Sequence, residues 1–185
     1  MIKKILNDFC RKIGNGEIEV YNEFSLQHEL GIFLRESLNG YKVQFERNVS
    51  FFDIDGKKTV KKEIDISIFD ENKKEKYAIE LKYPNNGRHP ETMFDFVKDV
   101  KFMEQLKELG FNETYCMCLV TDKLFYCGDE IEGIYASFRN GVNIHGIIKK
   151  PTGKGKDEIE LNVKGDYKVE WKPLNESYMH YIIAI

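Results

Sequence analysis

The chain has 185 residues, of which 42% are hydrophobic and 13% aromatic, a length and composition typical of one globular domain. Acidic and basic residues nearly balance, with a net charge of −3 and a pI of about 5.9, which argues against a generally basic nucleic-acid-binding protein. No apolar stretch approaches the roughly 20 residues that span a bilayer, and the N-terminal segment lacks the features of a signal peptide. We therefore expect a cytoplasmic domain with no membrane partner.

The first predicted core element is a helix over residues 23–38, because its apolar residues recur at intervals of three and four and Asn39-Gly40 is a typical stop signal. The predicted apolar stripe comprises Phe24, Leu26, Leu30, Ile32, Phe33, Leu34 and Leu38. Glu29 falls on or beside this stripe, where an unpaired carboxylate is costly. We expect it to have a partner, although a glutamate that reaches past the stripe to water fits the pattern equally well.

Three strands are predicted next. Residues 41–53 have an extended pattern, Asp55-Gly56 is a turn signal, and residues 59–69 alternate with a period of two, so the pattern predicts a hairpin. A short polar loop at 71–74 leads to a third strand at 76–83. The three strands are expected to form an antiparallel meander.

The remaining elements alternate between helix and strand. After a loop rich in Asn and Gly, residues 90–109 carry a strong apolar stripe and end at Gly110, which predicts a helix, and the apolar run 114–121 is typical of a central strand. The C-terminal portion is predicted to contain a helix within 128–140, an extended piece near 142–148, a hairpin with its turn at Lys164 to Asp166, and a last strand at 178–185.

The second and third strands bring acidic residues together if they pair across the 71–74 loop with Asp70 facing Glu75. This register puts Asp65 opposite Glu80, and directly opposed residues have Cβ atoms about 4.5 to 5.5 Å apart. One face of the hairpin is then apolar. The other face carries Glu63, Asp65, Ser67, Ala78, Glu80 and Lys82.

Two converging carboxylates repel one another, and a hard cation such as Mg²⁺ or Mn²⁺ relieves that repulsion. Such a metal activates water and stabilises charge on a phosphodiester, while the ammonium of Lys82 could orient the nucleophile. The alternative is an amphipathic hairpin with its polar face in water, which is the commoner explanation of such a pattern taken alone. The long helix at 90–109 and the strand after it favour a covered sheet, and we expect the helix to cover the apolar face.

The string EIDI (63–66), followed by AIELKY (78–83), resembles the split D…ExK signature of PD-(D/E)XK nucleases. The resemblance implies a restriction endonuclease-like α/β fold with an αβββαβ core and a mixed central sheet flanked by helices. It implies that Asp65 and Glu80 bind Mg²⁺ or Mn²⁺, that Lys82 is catalytic, and that Glu29 matches the first-helix acid. Ile64 stands where the motif has proline. The Gln-x-x-x-Tyr pattern of RecB-like members has no clear match, and Lys98 is the nearest polar candidate in that helix.

These observations predict a single domain over 1–185, with its core at about 23–121 and a C-terminal β extension at about 128–185. The implied function is a metal-dependent nuclease acting on DNA, or on RNA. Because the chain has no evident specificity domain, cutting at a defined sequence would need a homodimer or a larger complex. The alternative is a non-catalytic module on the same scaffold that binds nucleic acid or protein.

Several other polar and aromatic side chains have patterns that favour structural roles. Arg88 and His89 could contact phosphate, and four C-terminal aromatics could stack on bases, but a solvated loop and core packing are commoner. These aromatics are Tyr167, Trp171, Tyr178 and Tyr181. The lysines at 57–62 and 149–156 are expected to be solvated. The four cysteines match no zinc pattern and are predicted to be free thiols, mostly buried.

Overall fold

The computed structural model describes residues 1–84 and 87–185. The helices of this part of the chain are α1 (Ile2–Gly14), α2 (Glu23–Ser37), α3 (His89–Glu108) and α4 (Ile134–Arg139). Its strands are β1 (Lys42–Asn48), β2 (Glu63–Phe69), β3 (Lys76–Lys82), β4 (Glu113–Val120), β5 (Ile144–Lys149), β6 (Glu160–Tyr167), β7 (Lys172–Pro173) and β8 (Met179–Ala184). The predicted loop rich in Asn and Gly falls partly on residues 85–86, which lie outside the described residues.

The main sheet has six strands in the order β1-β2-β3-β4-β8-β7. Strands β3 and β4 are parallel, because α3 connects them across one face, whereas the other neighbours pair antiparallel. Strands β5 and β6 form a separate antiparallel pair. The protein is therefore a mixed α/β structure, and the predicted antiparallel meander of the first three strands is confirmed.

Helices cover both faces of this sheet. On one face, α1 and α2 pack on apolar residues of the central strands, including Ile66, Ile79 and Met117. On the other face, α3 packs with Ala78 and Cys116. The sequence pattern predicted that α3 covers the apolar face of the hairpin. That expectation was wrong: α3 lies on the face that carries Glu80 and Lys82 and shields it from solvent.

Local signals explain where the two long helices begin and end. Asn22 and Ser25 form a reciprocal capping box at the start of α2, in which the amide of Ser25 donates to the Asn22 side chain at 2.7 Å. Pro90 stands in the first turn of α3, and Gly110, with φ at 97°, follows its end. Both helices lie within about two residues of their predicted bounds.

The predicted turn at Asp55-Gly56 is confirmed, because the amide of Lys58 donates to the carbonyl of Asp55 at 2.9 Å, but the predicted strand bounds on either side of it were wrong. The two strands do pair antiparallel, but β1 ends at Asn48 and β2 starts at Glu63, so residues 49–62 form the connection. It opens with a 3₁₀ turn over Val49–Phe52. The rings of Phe51 and Phe52 pack against Phe69 at 5.4 and 5.5 Å between centroids, which draws the chain into the core and away from the strand.

The C-terminal portion differs from the prediction at one turn and agrees at its last strand. Residues 164–166 lie inside β6 rather than in a turn, because the carboxylate of Glu104 on α3 accepts hydrogen bonds from the amides of Lys164 and Gly165 at 3.2 and 2.6 Å. The predicted last strand is confirmed as β8, which pairs with β4. The C-terminal segment thus completes the main sheet and also adds the β5–β6 pair beside it. The helix predicted within 128–140 is confirmed only as the short α4.

Several predicted side-chain environments are now defined. Phe24 is 74% exposed rather than buried on the stripe of α2, and Ile32 is 38% exposed. Trp171 packs on Tyr181 with centroids 4.9 Å apart, and its indole N–H donates to the carbonyl of Phe138, so this ring is part of the fold. Cys127 is exposed, and the other three cysteines are buried free thiols.

No helix of the described chain is long and apolar enough to cross a membrane.

Candidate active site

The predicted acidic pair lies where β2 and β3 separate. The strands pair in the predicted register from Phe69 and Lys76 as far as Ile66 and Ile79, and the ladder then stops. Beyond it, Ile64 packs on the side of the sheet that α3 covers, whereas Ile66 packs on the side that α1 and α2 cover. The regular alternation of side chains along β2 is therefore interrupted at Asp65. Past this point the two strands are joined by hydrogen bonds from backbone amides to side-chain carboxylates.

Asp65 and Glu80 are held against one another by these bonds. Oδ2 of Asp65 accepts a hydrogen bond from the amide of Leu81 at 2.7 Å, and Oε1 of Glu80 accepts one from the amide of Asp65 at 3.3 Å. Each carboxylate therefore binds the backbone beside the other. The structure brings the two predicted acids together, through side chains rather than as ladder neighbours.

Both acids lie in surroundings that disfavour their charge. Glu80 is 1% exposed, and burial, followed by the nearby carboxylates of Asp65 and Asp99, raises its pKa well above the usual value. Burial also raises the pKa of Asp65 to about 6, although the ammonium of Lys61 and the amide of Leu81 act in the opposite direction. A cation that entered this site would relieve the cost of keeping both groups ionised.

Asp99 of α3 joins two lysines to the acidic pair. It is 3% exposed, with Oδ1 2.8 Å from Nζ of Lys61 and Oδ2 3.2 Å from Nζ of Lys82. Nζ of Lys61 also donates to the carboxylate of Glu80. Burial lowers the pKa of each lysine, but the carboxylate of Asp99 and other acids outweigh it and raise the pKa of both. We call Lys61, Asp65, Glu80, Lys82 and Asp99 the charge cluster.

A groove of about 280 Å³ opens next to the charge cluster at Asp65. It is lined by Glu23, Phe24, Gln27, Glu46, Asp65 and Leu81. The side-chain amide of Gln27 donates to the carbonyl of Asp65 at 2.9 Å and to Glu46 at 2.7 Å, which fixes α2 against the start of β2. Because Asp65 lines this groove, ligands in solvent can approach its carboxylate there.

The predicted first-helix acid, Glu29, does not line this groove. Its side chain is 37% exposed and lies 3.7 Å from Nδ1 of His28. Residues two apart on a helix point in nearly opposite directions, so Glu29 cannot share the face of Gln27. Glu23, one turn before Gln27, does share it, and its carboxylate accepts a hydrogen bond from the amide of Tyr83 at 3.0 Å. Glu23 is thus the acid that α2 contributes to the groove.

Lys61 and Asp99 were the residues that sequence analysis missed. Lys61 belongs to a lysine run that was expected to be solvated, and nothing in that run distinguishes it from Lys62. Asp99 had a signal, since it lies three residues after Phe96 and four before Met103 and so falls on the buried stripe of α3. Lys98, the polar candidate considered there, is not in the charge cluster.

Two further candidates for phosphate contact were Arg88 and His89. The side chain of Arg88 is 77% exposed and 3.9 Å from Glu91, as expected of a solvated residue. His89 begins α3, and its Nε2 lies 2.6 Å from the carboxylate of Asp122. His89 thus ties α3 to the segment after β4.

The charge cluster suits a hydrated divalent cation in the chemistry of its donors. Within the described residues no group of three or more His, Cys, Asp or Glu is arranged to hold a metal ion. Mg²⁺, however, usually keeps several waters and needs only one or two carboxylates, which Asp65 and Glu80 can provide. Oδ2 of Asp99 is buried and accepts no hydrogen bond, although Nζ of Lys82 lies 3.2 Å from it, and the cluster has three carboxylates for two ammoniums. These donors fit a cation if Lys61 releases Glu80.

Compared with known proteins, the chain matches no family model, no curated protein and no solved structure. The charge cluster and its groove are therefore the features of this chain that bear on its function.

Proposed function

We propose that this protein is a divalent-metal-dependent nuclease of the PD-(D/E)XK type that hydrolyses phosphodiester bonds, with DNA as the first substrate to test and RNA as the second. The observation that carries the proposal is the close approach of Asp65 and Glu80 where β2 and β3 separate. Lys82 lies two residues after Glu80 on β3, and its Nζ is 3.2 Å from Oδ2 of Asp99. The element order α2, β1, β2, β3, α3, β4 supports the proposal, since it is the order that the αβββαβ core requires.

In this proposal Asp65 and Glu80 hold Mg²⁺ or Mn²⁺, with Glu23 as the acid that α2 adds to the groove in place of Glu29. When bound, the metal supplies an activated water and positive charge beside the scissile phosphate. Lys82 orients that water or neutralises the phosphate, and Asp99 keeps its ammonium in place. The acidic groove accepts phosphate only when a cation offsets its charge, which makes nucleic-acid binding depend on the metal.

A second function is favoured by one specific contact. Glu80 is already paired with the ammonium of Lys61, which could satisfy the carboxylate permanently without any metal. In that case the protein is a non-catalytic module that binds nucleic acid or protein. The pair lies inside the structure and not on an open surface, since the side chain of Glu80 is fully buried and that of Lys61 is 23% exposed. Such a pair is costly to bury, which argues for a functional reason to keep it.

The test is cleavage of single-stranded and double-stranded DNA and RNA with Mg²⁺ or Mn²⁺. Asp65→Ala and Lys82→Ala are each expected to lower the rate at least about 100-fold, within the range typical of lost electrostatic or acid–base groups. Glu63→Ala is the matched control, because Glu63 is an exposed acid two residues before Asp65, and it should cut like the wild type. No cutting by the wild type, together with no metal binding by calorimetry, would favour the binding module.

The proposed function also implies an oligomeric state. A chain of this size that cuts at a defined sequence would act as a homodimer or within a larger complex. The molar mass by light scattering, with and without a DNA duplex, measures this directly.

A further inference from the structure

Lys61 occupies the place beside Glu80 where a cation would bind. It stands in the irregular segment just before β2, and its Nζ contacts the carboxylates of both Glu80 and Asp99, the latter at 2.8 Å. The ammonium also lies 5.7 Å from the centre of the Phe102 ring. An ammonium bridging two buried carboxylates neutralises them as a metal ion would.

The backbone around Lys61 is held by hydrogen bonds, whereas its side chain is partly exposed to solvent and can change conformation. The amide of Val60 donates to the side chain of Gln105 at 2.8 Å, and the carbonyl of Lys62 accepts from the amide of Val49 at 2.8 Å. These bonds hold both neighbours. The side chain of Lys61 is 23% exposed and has four rotatable bonds, so its ammonium can leave Glu80 by changing rotamers without unfolding the segment.

The two lysines of the charge cluster have separable contacts. Lys82 binds the other oxygen of Asp99 and donates to the carbonyl of Leu81 at 3.1 Å, without contacting Glu80. Lys61 is the lysine in contact with Glu80. A cation that binds Glu80 therefore competes with Lys61 and leaves the contacts of Lys82 intact.

From these contacts we propose that Lys61 is the resident counter-ion of the acidic pair and sets the affinity of the site for divalent cations. In the metal-free protein its ammonium holds the carboxylate of Glu80 in position. A divalent cation displaces its ammonium, which keeps its second contact with Asp99. This inference rests on the proposed metal site, and it assigns to Lys61 a role distinct from that of Lys82.

The test measures Mn²⁺ binding by calorimetry and by the decrease of the free Mn²⁺ signal in electron paramagnetic resonance, with no nucleic acid present. Lys61→Gln is expected to bind Mn²⁺ at least about tenfold more tightly than the wild type, because the competing charge next to Glu80 is gone. Lys61→Arg keeps the charge and should not bind more tightly. Lys62→Gln is the matched control, since Lys62 is the exposed neighbour, and its affinity should equal that of the wild type.

The outcomes separate this inference from the proposed nuclease activity. Equal or weaker Mn²⁺ binding by Lys61→Gln, in a variant with a native circular dichroism spectrum, would overturn the role of Lys61 even if the wild type cuts. Lys61→Met, which keeps the length of the stem, replaces Lys61→Gln if that variant does not fold. If the wild type and both neutral variants bind no Mn²⁺ and none cuts, the proposed metal site fails along with the inference.

Discussion

Replacing Asp99 with Asn tests whether the charge cluster stabilises the fold. The change keeps the volume of the side chain and removes one negative charge from a residue that is 3% exposed. Both lysine partners then lose the carboxylate that they share, at 2.8 Å from Lys61 and 3.2 Å from Lys82. Lys61 retains Glu80, whereas Lys82 loses its ion pair inside the structure.

The size of the effect follows from burial. Breaking a fully buried ion pair by removing one partner costs about 3–5 kcal/mol, because the other charge stays buried without a partner. Here the two lysine side chains are 23% and 21% exposed and can turn partly toward water, which lowers the cost. We expect a loss of about 2–3 kcal/mol in the free energy of unfolding, or roughly 4–12 °C in Tm for a domain of this size.

Urea unfolding followed by circular dichroism measures this loss. Asp95→Asn is the matched control, because Asp95 lies one turn earlier on α3 and is exposed, so its change should stay within about 0.5 kcal/mol. Equal stability of the two variants would refute the reasoning that Asp99 stabilises these two partly buried lysines. Greater stability of Asp99→Asn than of the wild type would do so as well, and would mean that the excess negative charge of the cluster outweighs the ion pairs.

The remaining predictions concern the rest of the fold. Glu104→Gln should cost about 2–4 kcal/mol at pH 7, since Glu104 binds two amides of β6, while Glu108→Gln, which breaks an exposed ion pair, should cost under about 1 kcal/mol. Despite burial, those amides lower the pKa of Glu104, so its stabilisation is full above the pKa of the unfolded chain and is lost as pH falls through the folded value. Urea titrations at pH 7 and pH 3 should therefore show a smaller difference between wild type and Glu104→Gln at pH 3, and an equal difference would contradict this. Gly31→Ala should lower stability by about 1–2 kcal/mol in thermal unfolding although alanine favours helix, because its Cβ would overlap the ring of Phe45, and a higher Tm would disprove the contact. A thiol reagent should modify one cysteine rapidly in the native protein, and Cys127→Ser should abolish that phase, because burial raises the pKa of the other three thiols. Rapid modification of a second thiol would contradict the packing around them.

The parts of the fold that could be predicted are those with a strong local pattern. The spacing of apolar residues in α3 and the clean alternation around Ile66 and Ile79 are local signals, and the structure follows both. The length of the β1–β2 connection could not be predicted from the local turn signal at Asp55-Gly56, although a turn does form there. Packing of Phe52 against Phe69 and Phe111 draws the chain into the core soon after Asn48, and these partners are distant in the chain.

By itself the sequence determined the register of β2 and β3 from Phe69 to Ile66, because side chains on paired strands alternate with a fixed period, and this register brings Asp65 and Glu80 to the end of the ladder. Only the tertiary structure decided what surrounds that pair. The face of the sheet that α3 covers and the rotation of α2 about its axis depend on packing between distant segments. That packing buries the acidic pair, brings Asp99 and Lys61 to it, and turns Glu23 toward the groove.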